Sequence, residues 1–178
     1  MASGALALRG AAGSDERAAG ATCEPAIGQG QAMVEIVAIQ GMNALMREAY
    51  ALRREVFVVE QGVPQELEVD DDDAIATHLV AVHEGRVVGT LRMVRHGRTA
   101  KIGRMAVSAS SRREGIGGAL MRFAALTAGQ DGVEEIIVAA QLPARKFYQR
   151  LGYLEEGDVF YDANLPHVRM RKRLSASV

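Results

Sequence analysis

The stretch Arg112-Arg113-Glu114-Gly115-Ile116-Gly117-Gly118 lies between a predicted strand, Lys101–Val107, and a predicted helix, Gly115–Ala128. Its glycines let the backbone approach a ligand closely and let successive amide N–H groups converge. The helix that begins there adds unpaired N–H groups and a positive dipole end, so the pattern predicts a pyrophosphate-binding loop. The alternative is a tight turn that merely begins a helix. The loop is neither a Walker loop, since no Gly-Lys-Ser/Thr follows, nor a dinucleotide fingerprint, since Leu120 replaces the third glycine.

The elements around this loop alternate between strands and helices. Strand patterns cover Met33–Ile39, His78–His83, Val87–Arg95, Lys101–Val107, Glu135–Ala140, Tyr153–Phe160 and His167–Leu174. Helical patterns cover residues 42–59, Gly115–Ala128 and Pro143–Leu151. The order β-α-β-β-β-α-β-α-β-β predicts one mixed sheet with helices on its faces, which is a single α/β domain.

Composition excludes several classes of protein. The 178 residues carry 21 Lys and Arg against 22 Asp and Glu, a net charge of −1, which is untypical of a nucleic-acid binder. No apolar run approaches the ~20 residues of a membrane span. Cys23 is the only cysteine, so disulfide frameworks and cysteine-rich zinc sites are excluded. No pair of histidines has metal-ligand spacing, and we expect no metal.

Residues 1–32 differ from the rest of the chain because they are rich in Ala and Gly and lack apolar periodicity. We interpret them as a flexible extension, followed by a single domain over residues 33–178. The extension lacks the continuous apolar block of a secretory signal, so we expect a cytoplasmic protein. Cys23 lies within it, which argues against a catalytic thiol.

Two motifs in this chain resemble those of the GNAT superfamily of N-acetyltransferases. Arg112-x-x-Gly115-x-Gly117 after a strand matches the main signature in full. The second match is Gln141-x-x-Ala144-x-x-Phe147-Tyr148-x-x-x-Gly152-Tyr153. The family usually has Asn at the first of these places and Gly-Phe at the end, so Gln141 and Tyr153 are conservative departures. The resemblance covers residues 33–174 and implies a mixed, mostly antiparallel twisted sheet flanked by helices.

The resemblance also implies acetyl-CoA as donor and co-substrate, with a set of binding residues. Backbone N–H groups of the loop would hold the pyrophosphate, at Arg112, Arg113, Glu114, Gly115, Ile116, Gly117 and Gly118. A bulged strand around Met105, Ala106 and Val107 would pair with pantetheine and polarise the thioester carbonyl. The second motif contributes Gln141, Ala144 and Phe147.

Tyr148 is the predicted general acid. A tyrosine with a pKa of ~10 keeps its proton at neutral pH and can protonate a departing thiolate, whose conjugate acid has a pKa near ~8.5. By helical spacing Tyr148 faces the same way as Gln141. The alternative is a core tyrosine beside Phe147. Since no cysteine lies in the predicted core, direct transfer in a ternary complex is favoured over an acyl-enzyme.

The acceptor side is marked by an acidic run, Gln65–Asp73, with six carboxylates. A solvated loop is the usual explanation of such a run. The run does not match a calcium-binding loop, because Ile75 and Ala81 occupy the places of the required Gly and Glu. If the run lies at the cleft, it should attract a cationic amine. Glu60 is the candidate base or amine anchor, with a helix-end surface carboxylate as the alternative.

Further resemblances leave alternatives open. Glu60-Gln61-x-Val63-Pro64 with Lys101-Ile102-Gly103-Arg104-Met105 is similar to a small bacterial GNAT subgroup. Arg53-x-x-Val56-Phe57 followed by Glu68-x-Asp70-x-x-Asp73 resembles acyl-homoserine-lactone synthases, although the Trp of that family is missing. His78 and His167 are candidates for lining the cleft, but we favour structural roles for both.

These patterns predict an acetyl-CoA-dependent N-acetyltransferase of a small-molecule amine, without nucleic-acid or membrane partners. Two other functions stay open: a non-catalytic acyl-CoA-binding sensor and a lactone-synthase-like acyltransferase. The sequence leaves both a monomer and a homodimer open.

Overall fold

The computed structural model describes residues 22–23 and 33–174, whose strands form one mixed sheet. The strands are β1 Thr22–Cys23, β2 Val34–Ile39, β3 Thr77–His83, β4 Arg86–His96, β5 Thr99–Val107, β6 Glu135–Gln141, β7 Leu154–Asp162 and β8 Leu165–Arg173. They lie in the order β1-β2-β3-β4-β5-β6-β8-β7. Only β5 and β6 pair in parallel, so the predicted mixed, mostly antiparallel sheet is confirmed.

The helices of the described residues include one unusual segment. The α-helices are α1 Ala44–Arg53, α2 Asp72–Ile75, α3 Ile116–Gln130 and α4 Arg145–Arg150. Asn43 caps α1, because its Oδ1 accepts a hydrogen bond of 2.8 Å from the Met46 amide. Helix α1 continues directly into a π-helical segment, Arg54–Glu60. The helix predicted over residues 42–59 is therefore present, but apolar spacing did not reveal its wider second half.

The sheet is covered on both faces, and β3 shows how. Val80 packs with Ile39, Met46 and Ala49 in the layer beneath α1. Its neighbour Leu79 belongs to the larger core beneath α3. Since successive strand residues point to opposite faces, one strand supplies both cores.

Gly89 on β4 allows α3 to lie close to the sheet. A Cβ atom at this position would lie 2.8 Å from Cγ2 of Ile116 and 3.1 Å from Cδ1 of Leu120. Both residues are at the start of α3 and are buried. The absence of a side chain at Gly89 therefore lets the first turns of α3 pack directly on β4.

Strand ends differ slightly from the sequence predictions. The β7–β8 hairpin turns at Ala163 and Asn164, which have φ angles of 47° and 61°. A two-residue turn of this kind suits the twist of a hairpin. Strand β8 therefore begins at Leu165, two residues before the predicted start.

The predicted N-terminal extension lies outside the described residues except for Thr22 and Cys23. The backbone of these two residues pairs with Val37 and Ile36 of β2. No helix in the described part of the chain is long and apolar enough to cross a membrane.

The acidic run folds against the sheet instead of forming a solvated loop. Arg53 is fully buried, and its Nε and Nη1 atoms each donate a hydrogen bond of 2.5 Å, to Glu68 and Asp73 respectively. Arg92 donates to Asp73 at 2.8 Å and to Asp70 at 2.5 Å. The solvated-loop interpretation is wrong for Glu68 and Asp73, which are only 4% and 8% exposed.

Burial and ion pairing shift the pKa values of the carboxylates in this cluster in opposite directions. Burial alone would raise the pKa of Asp73, but hydrogen bonds from Arg53 and from the Asp70 amide, with the nearby arginine charges, hold the pKa below its ordinary value. The pKa of Asp70 is lowered in the same way by Arg92 and Arg104.

His78 joins the same cluster and is structural, as predicted. Its Nε2 atom donates to the Asp73 carbonyl oxygen at 3.1 Å, and the side chain is 2% exposed. Burial lowers the pKa of His78. The imidazole therefore remains neutral near pH 7.

We expect Arg53→Met to lower the free energy of unfolding by about 3–5 kcal/mol, because Glu68 and Asp73 would lose the cation that offsets their burial. Urea denaturation at pH 7 measures this. Arg47→Met, an exposed position on the same helix, is the matched control and should change stability by less than about 0.5 kcal/mol.

The cluster also sets a pH dependence. The pKa values of Asp70 and Asp73 are lowered in the folded state. Their contribution to the free energy of unfolding is therefore complete at pH values above the ordinary pKa of a carboxyl group, and it is lost as the pH falls below about 4. Arg53→Met should weaken this acid sensitivity. Equal stability of Arg53→Met and Arg47→Met across this pH range would contradict the role assigned to the cluster.

Candidate active site

The sheet opens between its two parallel strands. Strands β5 and β6 pair only from Thr99 with Glu135 to Ile102 with Val138. Beyond that point β5 continues beside β4, and β6 continues beside β8. The polar backbone groups of residues 103–107 that face β6 are therefore not used by the described sheet. Such groups are strong hydrogen-bonding partners for a ligand in extended conformation.

A bulge in β5 accompanies this opening. Arg92 of β4 pairs with Gly103, but Thr90 pairs with Ala106, so β5 contains one more residue than β4 across this interval. Arg104 has a φ of 51°, in the left-handed region. The predicted bulge around Met105–Val107 is present, with its strained residue one position earlier than that range.

The Arg104 side chain fastens the bulge to the acidic run. Its Nε donates to the Glu68 carbonyl oxygen at 2.8 Å. Its Nη2 donates to the Leu67 carbonyl oxygen at 2.9 Å and to Asp70 Oδ2 at 3.0 Å. The cluster around Arg53 thus reaches the edge of the opening through Arg104.

The glycine loop, residues 112–118, lies at one end of the opening. Gly115 is the N-cap of α3 with a φ of 86°, and no atom lies within 4 Å of a Cβ built there, so its conformation, not a lack of space, favours glycine. The first hydrogen bond of α3 joins the Ala119 amide to the Gly115 carbonyl oxygen at 2.9 Å. The amides of residues 116–118 precede it and have no partner within the helix, which suits an anion.

Arg112 holds the glycine loop in place through its side chain. Its Nε donates to the Val107 carbonyl oxygen at 3.1 Å, and its Nη2 donates to both carboxylate oxygens of Glu60, at 2.9 and 2.6 Å. Glu60, the candidate base, therefore lies at the cleft but in an ion pair. Its role as base or amine anchor stays a prediction.

A second bond joins the π-helical segment to the other wall. The Gln141 side chain at the end of β6 donates from Nε2 to Oε1 of Gln61 at 2.8 Å. Gln61 follows Glu60 directly, so two adjacent residues contact the glycine loop and β6. This hydrogen bond links the end of the π-helical segment to the end of β6.

Tyr148 lies on α4 at the cleft wall. Its ring packs edge-on against Phe147, with centroids 5.0 Å apart, and against Tyr153, at 5.8 Å. The side chain is 7% exposed, and burial raises the pKa of Tyr148 to about 12. The phenol therefore keeps its proton at all physiological pH values.

One cleft of about 1420 Å³ brings these groups together. All the predicted site residues line it except Glu114. Glu114 is exposed between two left-handed residues, Arg113 and Gly115, which direct this part of the loop outward. Ile116 and Ala106 are buried in the core, so only their backbone groups are suited to contact a ligand.

The cleft continues over the sheet face opposite α3 and α4. There it is lined by Lys101, Phe160, Asp162, His167 and Arg169. Both signs of charge are present. Glu68, Asp70 and Asp73 form ion pairs with arginines, so these three carboxylates add little net negative charge to the cleft.

Three residues of the site escaped the sequence prediction as contributors: Gln61, Arg104 and His167. In the sequence, Gln61 and Arg104 belong only to a longer resemblance, and for His167 a structural role is favoured over a place in the cleft. Their contacts join positions from 2 to 80 residues apart, so local pattern gives no sign of most of them.

Comparison with known proteins places this fold in a family. Residues 33–174 match the acetyltransferase (GNAT) domain. An uncharacterized N-acetyltransferase of Bacillus subtilis (strain 168), YjcF, is 36% identical over 129 residues, which cover 71% of this chain and 91% of that protein.

Solved structures agree with this match. An acyl-CoA N-acyltransferase from Pseudomonas aeruginosa superposes with a TM-score of 0.71 at 28% identity, covering 78% of this chain and 99% of that one. Escherichia coli ElaA also has a TM-score of 0.71, at 26% identity, with 79% and 99% covered.

Acyl-homoserine lactone synthases share the fold at lower identity. BjaI and LasI superpose with TM-scores of 0.66 and 0.67 at 17% and 18% identity. They cover 78% and 82% of this chain, and 82% and 91% of their own. Here the residues that carried this resemblance, Arg53, Glu68 and Asp73, bond to one another in the buried cluster.

The matched domain spans every helix and strand that builds the cleft. The Bacillus relative aligns over nine-tenths of its own length, well beyond a shared motif. The chain therefore belongs to the GNAT family of acetyltransferases.

Proposed function

We propose that this protein transfers an acetyl group from acetyl-CoA to the primary amine of a small-molecule acceptor, by direct attack in a complex with both substrates. One observation carries the proposal. The unpaired half of β5, the glycine loop and Tyr148 line the same cleft. Together they offer a site for an extended chain, a site for a pyrophosphate and a proton donor.

The donor would bind along β5. Backbone amides of residues 113–118 would hold the pyrophosphate of CoA, assisted by the dipole of α3. Backbone groups of Met105, Ala106 and Val107 would pair with pantetheine, and an amide there would polarise the thioester carbonyl. Ala144 and Phe147 of the opposite wall line the cleft beside the glycine loop.

Direct transfer asks three things of the protein. The acceptor nitrogen must be neutral when it attacks, the carbonyl oxygen needs a hydrogen-bond donor as negative charge develops, and the departing sulfur needs a proton. The amides of β5 supply the second and Tyr148 the third. The chain's single cysteine lies on β1, at the far edge of the sheet from the cleft, which supports direct attack over an acyl-enzyme.

The acceptor would enter over the face of β5, β6 and β8. A small molecule fits this arrangement, because the cleft is walled by the π-helical segment on one side and by Phe160 on another. The family and the proton-transfer groups of the cleft support an amine acceptor. The acidic run does not add support, because its buried carboxylates are paired with arginines.

Thiol release tests the proposal against the alternative of a non-catalytic acyl-CoA sensor. Purified protein with acetyl-CoA and a library of small amines should release CoA thiol in an amine-dependent manner, with N-acetylated product detected by mass spectrometry. A sensor would bind acetyl-CoA without turnover across the library. Transfer from an acyl carrier protein but not from acetyl-CoA would indicate the lactone-synthase-like reaction.

Gly117→Asp should weaken CoA binding strongly without unfolding the protein. A Cβ at Gly117 would lie 3.4 Å from Phe147 Cζ, an ordinary contact. A carboxylate in the first turn of α3 favours the helix, but it repels a pyrophosphate. Like charges at ~4 Å cost about 1–4 kcal/mol near a protein surface, so the CoA Kd should rise about tenfold or more above that of Gly117→Asn.

Calorimetry on the two variants separates charge from bulk, because Asn and Asp have nearly the same size. Circular dichroism confirms folding. Equal CoA affinity in Gly117→Asp and Gly117→Asn would mean that no pyrophosphate lies at the start of α3.

Tyr148→Phe should lower kcat by about 10²-fold, near the lower end of the range for general acids. The high pKa of Tyr148 makes proton donation less favourable, and a thiolate is a tolerable leaving group. Phe keeps the edge-on packing with Phe147 and Tyr153, so the CoA Kd and Tm should barely change. A folded Tyr148→Phe protein with full turnover would remove Tyr148 from the mechanism.

A further inference from the structure

His167 lies at the point where the two substrates of the proposed reaction would meet. It pairs on β8 directly opposite Gln141, the last residue of β6. Opposite residues of an antiparallel pair have Cα atoms about 4.5–5.5 Å apart. The neighbouring Val168 belongs to the core beneath α3, so His167 faces the other side of the sheet, where it lines the cleft.

The hydrogen bond of the ring fixes which nitrogen can accept a proton. Nδ1 of His167 lies 2.8 Å from the Leu165 carbonyl oxygen. A carbonyl oxygen only accepts, so Nδ1 carries the hydrogen, and in the neutral ring the lone pair is on Nε2. Within residues 33–174 no side chain or backbone group is bonded to Nε2.

Packing holds the imidazole in one orientation. The Phe160 ring stacks on it with centroids 5.8 Å apart and an interplanar angle of 25°. The histidine is 8% exposed and lines the cleft. A base held in this way needs little reorganisation to accept a proton.

Glu60, the other candidate base, is differently placed. Both of its carboxylate oxygens accept hydrogen bonds from Arg112 Nη2. Taking up a proton there would disrupt the pair that holds the glycine loop. His167 Nε2 has no such competing contact among the described residues.

We propose that His167 is the general base that takes the proton from the acceptor amine, a role that rests on the proposed acetyl transfer. The amine nitrogen forms a bond to the carbonyl carbon, and Nε2 takes one N–H proton. The carbon–sulfur bond then breaks, its electron pair stays on sulfur, and Tyr148 gives its hydroxyl proton to that sulfur. Water returns the proton of the imidazolium to the Tyr148 phenolate, so both residues are restored and the products are amide and free thiol.

Charged and titratable groups face this histidine from several elements. The groups that line the same cleft include Arg169 on β8, Asp162 on β7, Tyr148 and Arg150 on α4, Lys101 on β5 and Glu60 on the π-helical segment, with His96, the acidic run and the arginines of β4, β5 and the glycine loop farther along it. The pH profile of wild-type activity therefore depends on more than one titratable group. The limb that belongs to His167 is identified by its loss in a variant.

The test compares His167→Asn and His167→Gln with wild type, using thiol release with saturating acetyl-CoA between pH 5 and 9. The Asn amide can still donate to the Leu165 carbonyl oxygen, but the side chain at position 167 is not a base in either variant. We expect kcat/KM for the amine to fall by about 10²–10⁴-fold and the acidic limb of the wild-type profile to disappear. The CoA Kd and the Tm should stay close to wild type.

His96→Asn is the matched control, because His96 is exposed at the end of β4 and lines the far part of the same cleft. It should keep wild-type turnover and pH profile. Full activity with an intact acidic limb in either folded His167 variant would overturn the assignment, while the proposed function stands. Absence of amine-dependent thiol release in wild type would overturn the proposed function, and the assignment with it.

Discussion

A left-handed residue within a strand is the constraint on which the rest of this site depends. Arg104 gives β5 one residue more than β4, and β5 separates from β6 at the same point. Without the extra residue, the parallel ladder could continue beyond Ile102 and its hydrogen bonds would close the cleft. A left-handed conformation costs a non-glycine residue about 1–2 kcal/mol. The bonds from the Arg104 guanidinium to two carbonyls and to Asp70 offset that cost.

The acidic run, residues 65–73, holds Arg104 and the bulge of β5 in place. Its carboxylates Glu68, Asp70 and Asp73 receive arginines from α1, β4 and β5, so one cluster ties three elements together. Buried ion pairs contribute little net stability, but breaking one is costly, so such a cluster specifies geometry more than it adds stability. The geometry of the proposed CoA site thus depends on this cluster, which holds Arg104 at the bulge of β5.

Local pattern predicted the order of the elements and the glycine loop, because glycine spacing and apolar periodicity are properties of neighbouring residues. The assignment of Tyr148 to the site depended on the resemblance to the GNAT superfamily. Local pattern could not show that the six carboxylates of residues 65–73 differ in burial and pairing, since the arginines that bond to Glu68 and Asp73 come from α1 and β4. Nor could it show that Glu60 pairs with Arg112, 52 residues away, or that β8 brings His167 to Gln141. Side-chain partners depend on sheet order, which periodicity does not contain.

The central claim is that the unpaired half of β5 and the start of α3 form the CoA site. Amide hydrogen exchange with and without saturating CoA tests this directly, since it reports on the backbone groups themselves. Binding of CoA there should slow exchange at residues 103–107 and 116–118, with no change in β2, beside the edge strand β1, or in the other edge strand, β7. Unchanged exchange at residues 103–107 in the presence of bound CoA would contradict it.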